Sequence, residues 1–246
     1  MAVTRQDFED AVAAYWGAKA SQRELSMIKD AVGAGTAGSV RAGKHFDDIV
    51  ALLAKFFLEA GYPPEDIRVK RGRGLELPGY YRPRKQWDLV VSHKSTLVAA
   101  FELKGLGGPS FGNNYNNRVE EALGSAVDLR RAALADLFPG EKPWLGYFFI
   151  MEDAPGSRKP KDTKGVKAGV FSGEEIWRGR SYQSSFALFC ERLVAEGLYD
   201  AVCYITSSEE NPSPNELVES LDWQHFSAAI KARITYLNEL GLLADD

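Results

Sequence analysis

Apolar and polar positions along this chain keep two rhythms in alternation, and that alternation predicts an α/β architecture. Across residues 44–60, Phe46, Ile49, Val50, Leu53, Phe56 and Phe57 recur at three- and four-residue spacing, which marks a helix with one buried face; Gly61 and Pro63 close it. Thr4-Arg-Gln-Asp7 reads as the capping-box start of an earlier helix, and residues 25–32 read as a second one. Strand candidates are the short apolar runs 67–70, 87–91, 97–103, 144–151 and 201–206. Helices at about 117–137 and 181–197 separate the last three, and two more follow at about 214–221 and 223–240. Five strands with helices between them predict a mixed central β-sheet flanked by helices on both faces. No composition break divides the chain, so residues 1–246 are expected to form a single domain, with its core over about 40–210 and C-terminal helices over 213–241.

The candidate chemistry lies in two of those strands. Trp87-Asp88-Leu-Val-Val is followed, after a short polar turn, by Leu97-Val-Ala-Ala-Phe101-Glu102-Leu103-Lys104. Glu102 and Lys104 share one face of a strand because alternate side chains do. A turn at residues 92–95 sets the residue opposite Asp88 at 100–102, and only an even-numbered partner puts Asp88 on that same face. The expected register is therefore even. The neighbours of Glu102 and Lys104 are apolar, and ionised groups in such a strand are costly unless paired or bound to a metal. An exposed cross-strand ion pair is the alternative reading. The carboxylates of Asp88 and Glu102, with the Leu103 carbonyl oxygen, offer hard oxygen ligands for Mg²⁺. Lys104 would orient or deprotonate a water, or neutralise charge on a phosphate; spacing does not choose between these. Asp47 or Asp48 either supports the metal or complements the macrodipole of its helix. The grouping resembles the D…(D/E)-x-K site of restriction-endonuclease-like nucleases, which implies that core fold. A second acidic-x-Lys match, Asp162-Thr-Lys164, sits in loop composition and is set aside.

Charge changes the picture next. The formal net charge of −4 hides a basic run of Arg68, Lys70, Arg71, Arg73, Arg82, Arg84 and Lys85 against one acid, Glu76, leading directly into Asp88. A second run holds Arg158, Lys159, Lys161, Lys164 and Lys167 against Asp162. Either run alone is ordinarily a solvated surface, but adjacency to the carboxylates makes the first a candidate phosphate-binding cleft. Gly38-Ser-Val-Arg-Ala-Gly43-Lys44 matches a phosphate-loop pattern, with Glu152 and Asp153 ending a later apolar strand. His45 stands where that chemistry needs a hydroxyl, and no apolar strand precedes Gly38, so nucleotide hydrolysis is rejected. The other two histidines, His93 and His225, lack metal-ligand neighbours in sequence, and no nucleophile-elbow motif exists. Cys190 and Cys203 read as reduced core residues of an intracellular protein. No stretch approaches the roughly 20 apolar residues of a membrane span, and no signal sequence opens the chain, so a soluble, cytoplasmic protein without membrane contact is expected.

The segment Gly107-Gly-Pro-Ser-Phe-Gly-Asn113-Asn114-Tyr-Asn116-Asn117-Arg118-Val-Glu120-Glu121 reads as a glycine-rich turn that delivers amide and guanidinium groups to a helix start, suited to phosphates and base edges. Alternatively Asn117 caps the helix and Glu120 returns the bond. With Trp87-Asp88-Leu-Val-Val, Phe101-Glu102-Leu-Lys104, Arg41-Ala-Gly-Lys44-His45 and Cys190-Glu-Arg-Leu-Val-Ala-Glu-Gly-Leu-Tyr199-Asp-Ala, this segment makes nearly the whole chain resemble the XhoI family of type II restriction endonucleases. The resemblance implies Mg²⁺-dependent cleavage of double-stranded DNA at unmethylated CTCGAG with 5′ overhangs, in a system with a cognate DNA methyltransferase. It makes Asp88, Glu102 and Lys104 the catalytic set; Trp87 stands where the superfamily has proline. A palindromic target asks for a homodimer. The candidate base- and phosphate-contacting residues are Arg82, Arg84, Lys85, Asn113, Asn114, Asn116, Asn117 and Arg118. A structure-specific or repair nuclease and a non-cleaving DNA-binding protein are the other readings.

Overall fold

The computed structural model describes residues 2–31, 44–69, 74–161, 167–168 and 170–242. Helix α1 (Arg5–Ala31) leads to α2 (Asp47–Glu59), then to strands β1 (Ile67–Arg68), β2 (Glu76–Pro78), β3 (Arg84–Gln86), β4 (Leu89–His93) and β5 (Thr96–Leu106). Next come α3 (Phe111–Leu134), β6 (Trp144–Glu152), α4 (Pro155–Arg158), β7 (Lys167–Ala168) and β8 (Phe171–Ser172). The chain closes with α5 (Tyr182–Ala195), β9 (Ala201–Ser207) and α6 (Trp223–Glu239).

Five strands form the main sheet in the order β1-β4-β5-β6-β9. The first two pairings are antiparallel and the last two parallel. Parallel neighbours need a crossover, and α3 and α5 supply the two. All five strands fall where the apolar runs predict them, with shifted ends. Both faces are covered, which is why β5, β6 and β9 read as nearly continuous apolar runs instead of alternating ones. Leu89, Val91, Phe101, Leu103, Phe148, Ile150, Cys203 and Ile205 pack beneath α1, α2 and α6. Val90, Ala100, Tyr147, Phe149, Val202 and Tyr204 point the other way, beneath α3 and α5. Aromatic stacking closes both layers: Phe8 on Trp223 at 4.4 Å, and Phe149 on Phe186 at 3.9 Å.

The turn of the β4–β5 hairpin is Lys94-Ser95, both at positive φ (45° and 69°), the conformation whose twist suits a two-residue connection. Register then runs Val91↔Ala99, Val90↔Ala100 and Leu89↔Phe101, with a bulge that leaves Val98 unpaired. The guanidinium of Arg233 on α6 donates to the Val98 carbonyl at 3.1 Å, so the carbonyl at the bulge has a partner.

Three expectations are corrected. Residues 5–31 make one helix, not two; its start is the expected capping box, with the Thr4 amide donating to Asp7 Oδ2 at 2.7 Å and the Asp7 amide to Thr4 Oγ1 at 3.1 Å. Helix α3 begins at Phe111, not near Asn117. Gly112 and four asparagines are poor helix formers, but Phe111 and Tyr115 lie against Tyr182 and Phe186 of α5 (6.0 and 5.7 Å between ring centres), and that packing outweighs the weak propensity. Residues 214–221 are not a helix: Asn215 bridges to Thr206, exchanging N–H···O bonds of 2.9 and 2.8 Å, and only Glu219–Leu221 forms a 3₁₀ turn. The free side of β9 recruits that backbone as a partner. No helix among the described residues is long and apolar enough to cross a membrane.

Candidate active site

Asp88 stands one residue before β4, and its amide donates to the Phe101 carbonyl at 3.1 Å, so the hairpin ladder continues to it. The pairing of Leu89 with Phe101 therefore sets Asp88 opposite Glu102, the even-numbered partner. Asp88 Oδ2 accepts from the Leu103 amide at 2.8 Å and from Lys104 Nζ at 3.4 Å. Lys104 also forms an ion pair with Glu102 Oε1 and donates to the Leu103 carbonyl at 3.2 Å. One ammonium is thus held by the three oxygen donors that the strand pattern nominates as metal ligands. The two acids differ in setting: the Glu102 side chain is 6% exposed, the Asp88 side chain 40%.

A second ammonium reaches the site from outside the main sheet. Lys85, in the small β2–β3 hairpin, points inward between outward-facing Arg84 and Gln86. Its Nζ lies 2.5 Å from Glu102 Oε2, donates to the Gln86 carbonyl at 3.0 Å and sits 4.1 Å from the centre of the Trp87 ring. Each oxygen of Glu102 therefore has its own lysine. Burial pushes the Glu102 carboxyl up, but Lys104 and Lys85 overcome this and hold it below the ordinary range. Burial raises Asp88, with the Glu102 charge adding and Lys104 opposing. Lys104 is lifted above its usual value because Glu102 and Asp88 outweigh its burial. At neutral pH it is therefore an ammonium.

The other nominated residues divide. Asp47 and Asp48 are exposed in the first turn of α2, and among the described residues no three His, Cys, Asp or Glu side chains gather as a metal site, so neither joins Asp88 and Glu102. Arg82 is a structural tie: it donates to buried Asp128 of α3 at 2.7 Å, and the Tyr80 and Tyr81 amides reach the same carboxylate at 2.9 and 2.8 Å. Arg84, 71% exposed, pairs with Glu76 at 3.2 Å. Asn113, Asn116 and Asn117 line one exposed stripe of α3 at helical spacing, and Asn114 and Arg118 are half-buried beside it. They belong to the first two turns of the helix and not to a loop that precedes it. Asn117 is no cap, since Ser110 occupies that position. Arg118 pairs with Glu121, and its charge is felt by Lys104.

Glu152, the last residue of β6, accepts from the Gly108 amide at 2.9 Å, and Asp153 just after it accepts from Arg158 Nη2 of α4 at 2.7 Å. Residues 32–43, which include most of the phosphate-loop match, lie outside the described residues, as do Lys70, Arg71, Arg73 and the Asp162-x-Lys164 stretch. Lys161 lies over the Tyr115 and Tyr182 rings at 4.7 and 4.3 Å. Cys190 and Cys203 are free and buried, one in each layer. Sequence reasoning missed two neighbours of Glu102. It placed Lys85 among the DNA contacts, although the out-in-out alternation of a three-residue strand separates it from Arg84. It did not mark Tyr147, which pairs with Glu102 across β5–β6 and buries a hydroxyl without a hydrogen-bond partner among the described residues.

A family model described as restriction endonuclease XhoI matches residues 27–218. The type II restriction enzyme BstVI of Geobacillus stearothermophilus is 36% identical over 192 residues, 75% of this chain and 84% of that one. The type II restriction enzyme XhoI of Xanthomonas vasicola is 35% identical over 190 residues, 76% and 73% of the two chains. The type II restriction enzyme AbrI of Azospirillum brasilense is 38% identical over 164 residues, 65% and 73%. No solved structure matches the chain.

Proposed function

This chain belongs to the XhoI restriction endonuclease family, and from that premise we propose that it hydrolyses phosphodiester bonds of double-stranded DNA at an unmethylated CTCGAG palindrome, leaving 5′ overhangs. The observation that carries the reading is the ammonium of Lys104 held among Asp88 Oδ2, Glu102 Oε1 and the Leu103 carbonyl. A cage of two carboxylates and a carbonyl that already balances a positive charge has the donor chemistry of a hard divalent cation. Asp88, Glu102 and the Leu103 carbonyl would hold Mg²⁺, which lowers the pKa of a bound water and offsets charge on the phosphate.

The remaining steps belong to the chain. Glu102, fixed by strand register and nearly excluded from solvent, sets the depth at which the scissile phosphate sits. Asp88, on the open side, faces the incoming backbone. Lys104, protonated in this setting, stabilises the negative charge that develops on the phosphate oxygens. Exposed Arg84, Asn113, Asn116 and Asn117, with Asn114 and Arg118 behind them, are the side chains offered to phosphates and base edges. A twofold target is met by a homodimer in the cytoplasm, each subunit cutting one strand, with a partner methyltransferase protecting the host sites.

The test is digestion of unmethylated plasmid with Mg²⁺ followed by end mapping. Discrete fragments ending within CTCGAG are expected. Cuts at flaps or junctions would instead indicate a structure-specific nuclease, and a mobility shift without cleavage a DNA-binding protein.

A further inference from the structure

We infer that Lys85 is a charge lock on the metal position: it balances the site so that a divalent cation enters only together with DNA phosphate. The inference rests on the reading of Asp88 and Glu102 as metal ligands. Without DNA, two carboxylates face two ammonium groups, Lys104 and Lys85, so the four charges cancel. A divalent cation arriving alone meets a neutral site and leaves a net charge of +2 in a pocket whose deepest acid is 5% exposed. The strands of DNA bring the missing negative charge. Were Lys85 neutral, the site would carry one net negative charge and attract the cation unaided.

Three features set Lys85 apart from Lys104. Lys104 lies on the same strand as Glu102 and touches all three nominated ligand groups, so it belongs to the reacting assembly. Of the nominated ligand groups, Lys85 touches only Glu102, through the oxygen that Lys104 does not hold. Its side chain is 12% exposed and is held by the Gln86 carbonyl and the Trp87 ring, so its charge is poorly screened and fixed in place. Among the described residues its hairpin pairs only with itself, apart from the main sheet, and it is tied to α3 through Arg82 and Asp128. The side chain is therefore a positioning element delivered separately from the strands that carry the acids. Because Lys104 holds Glu102 Oε1, the carboxylate keeps one anchor when Lys85 is changed.

The experiment measures Mn²⁺ binding by electron paramagnetic resonance, with and without the cleaved CTCGAG duplex bearing its 5′-phosphates. Wild type is expected to bind Mn²⁺ weakly alone and more tightly with the duplex. Lys85→Gln retains a donor to Oε2 without charge, and Lys85→Met removes both. Each should raise duplex-free affinity by about tenfold and shrink the gain brought by the duplex, while Lys85→Arg stays at the wild-type value. Unchanged or weakened duplex-free affinity in both neutral variants overturns the lock and leaves Lys85 as a mere support of Glu102. Equal Mn²⁺ affinity of wild type with and without duplex overturns it independently of whether any variant folds. Glu102→Gln separates the two readings: if Mn²⁺ binding survives that change, the ligand assignment itself is wrong, whatever Lys85 does.

Discussion

The carboxylate pair of the β4–β5 hairpin and the asparagine stripe of α3 differ in how they are held. Asp88, Glu102 and Lys104 are placed by backbone register and locked by mutual ion pairs, so their geometry exists before any ligand arrives. Asn113, Asn116 and Asn117 are placed only by helical spacing and face solvent. One region spends its polar groups internally and the other keeps them for outside contacts. Under the proposed function, bond-breaking falls to the first arrangement, because misplacing a ligand by an ångström is costly. Under the same proposal, reading a sequence falls to the second, because base edges must replace water on the amides.

The largest expected effect tests the first region. Asp88→Ala or Lys104→Ala should lower plasmid cleavage on the order of 10³-fold or more while a mobility-shift assay still detects DNA binding. Full cleavage by either variant would remove the assigned site. Next, Asn113→Ala and Asn117→Ala should each reduce discrimination between CTCGAG and single-base variants by about 1–3 kcal/mol in competition binding. Their unfolding free energies in urea should stay within about 0.5 kcal/mol of wild type. A large loss of stability would show that the stripe is structural.

A smaller effect joins the two regions, through the carboxylate that ties the hairpin of Lys85 to α3. Asp128→Asn should cost about 1–3 kcal/mol at pH 7 in urea unfolding. Burial raises the Asp128 carboxyl, but the bonds from Arg82 and from the Tyr81 and Tyr80 amides outweigh that and hold it below its ordinary range. A carboxyl depressed in the folded state adds stability above its unfolded value, and that increment is lost as pH falls through the folded one. The gap between wild type and Asp128→Asn should therefore narrow as the pH is taken below about 4. Smallest of all, Tyr147→Phe should leave stability unchanged or raise it by about 1 kcal/mol, since the hydroxyl it removes is buried without a partner among the described residues. A marked loss would reveal that this hydroxyl supports Glu102.

What the sequence made legible was whatever a fixed period controls. Register was readable because Asp88 and Glu102 sit in one hairpin, where turn length and a side-chain period of two leave few choices. Strands on both faces of a core announced themselves as unbroken apolar runs. Lys85 was opaque because its direction depends on a separate hairpin only three residues deep, too short for alternation to stand out among neighbouring charges. The start of α3 was hidden because Phe111 and Tyr115 act through α5, a partner some 70 residues away along the chain. Residues 214–221 were misread because their backbone serves a strand edge, a role that leaves no periodic mark.

The hairpin has one more consequence, in the order of assembly. Asp88 and Lys104 lie only sixteen residues apart and meet through a tight turn, whereas β5 finds β6 and β9 only after α3 and α5 have folded back across the sheet. Loop closure favours the nearer encounter. The spacing of the acids is thus set by the most local pairing in the sheet. Mutations that loosen the parallel half should slow folding without altering the distance between Asp88 and Lys104.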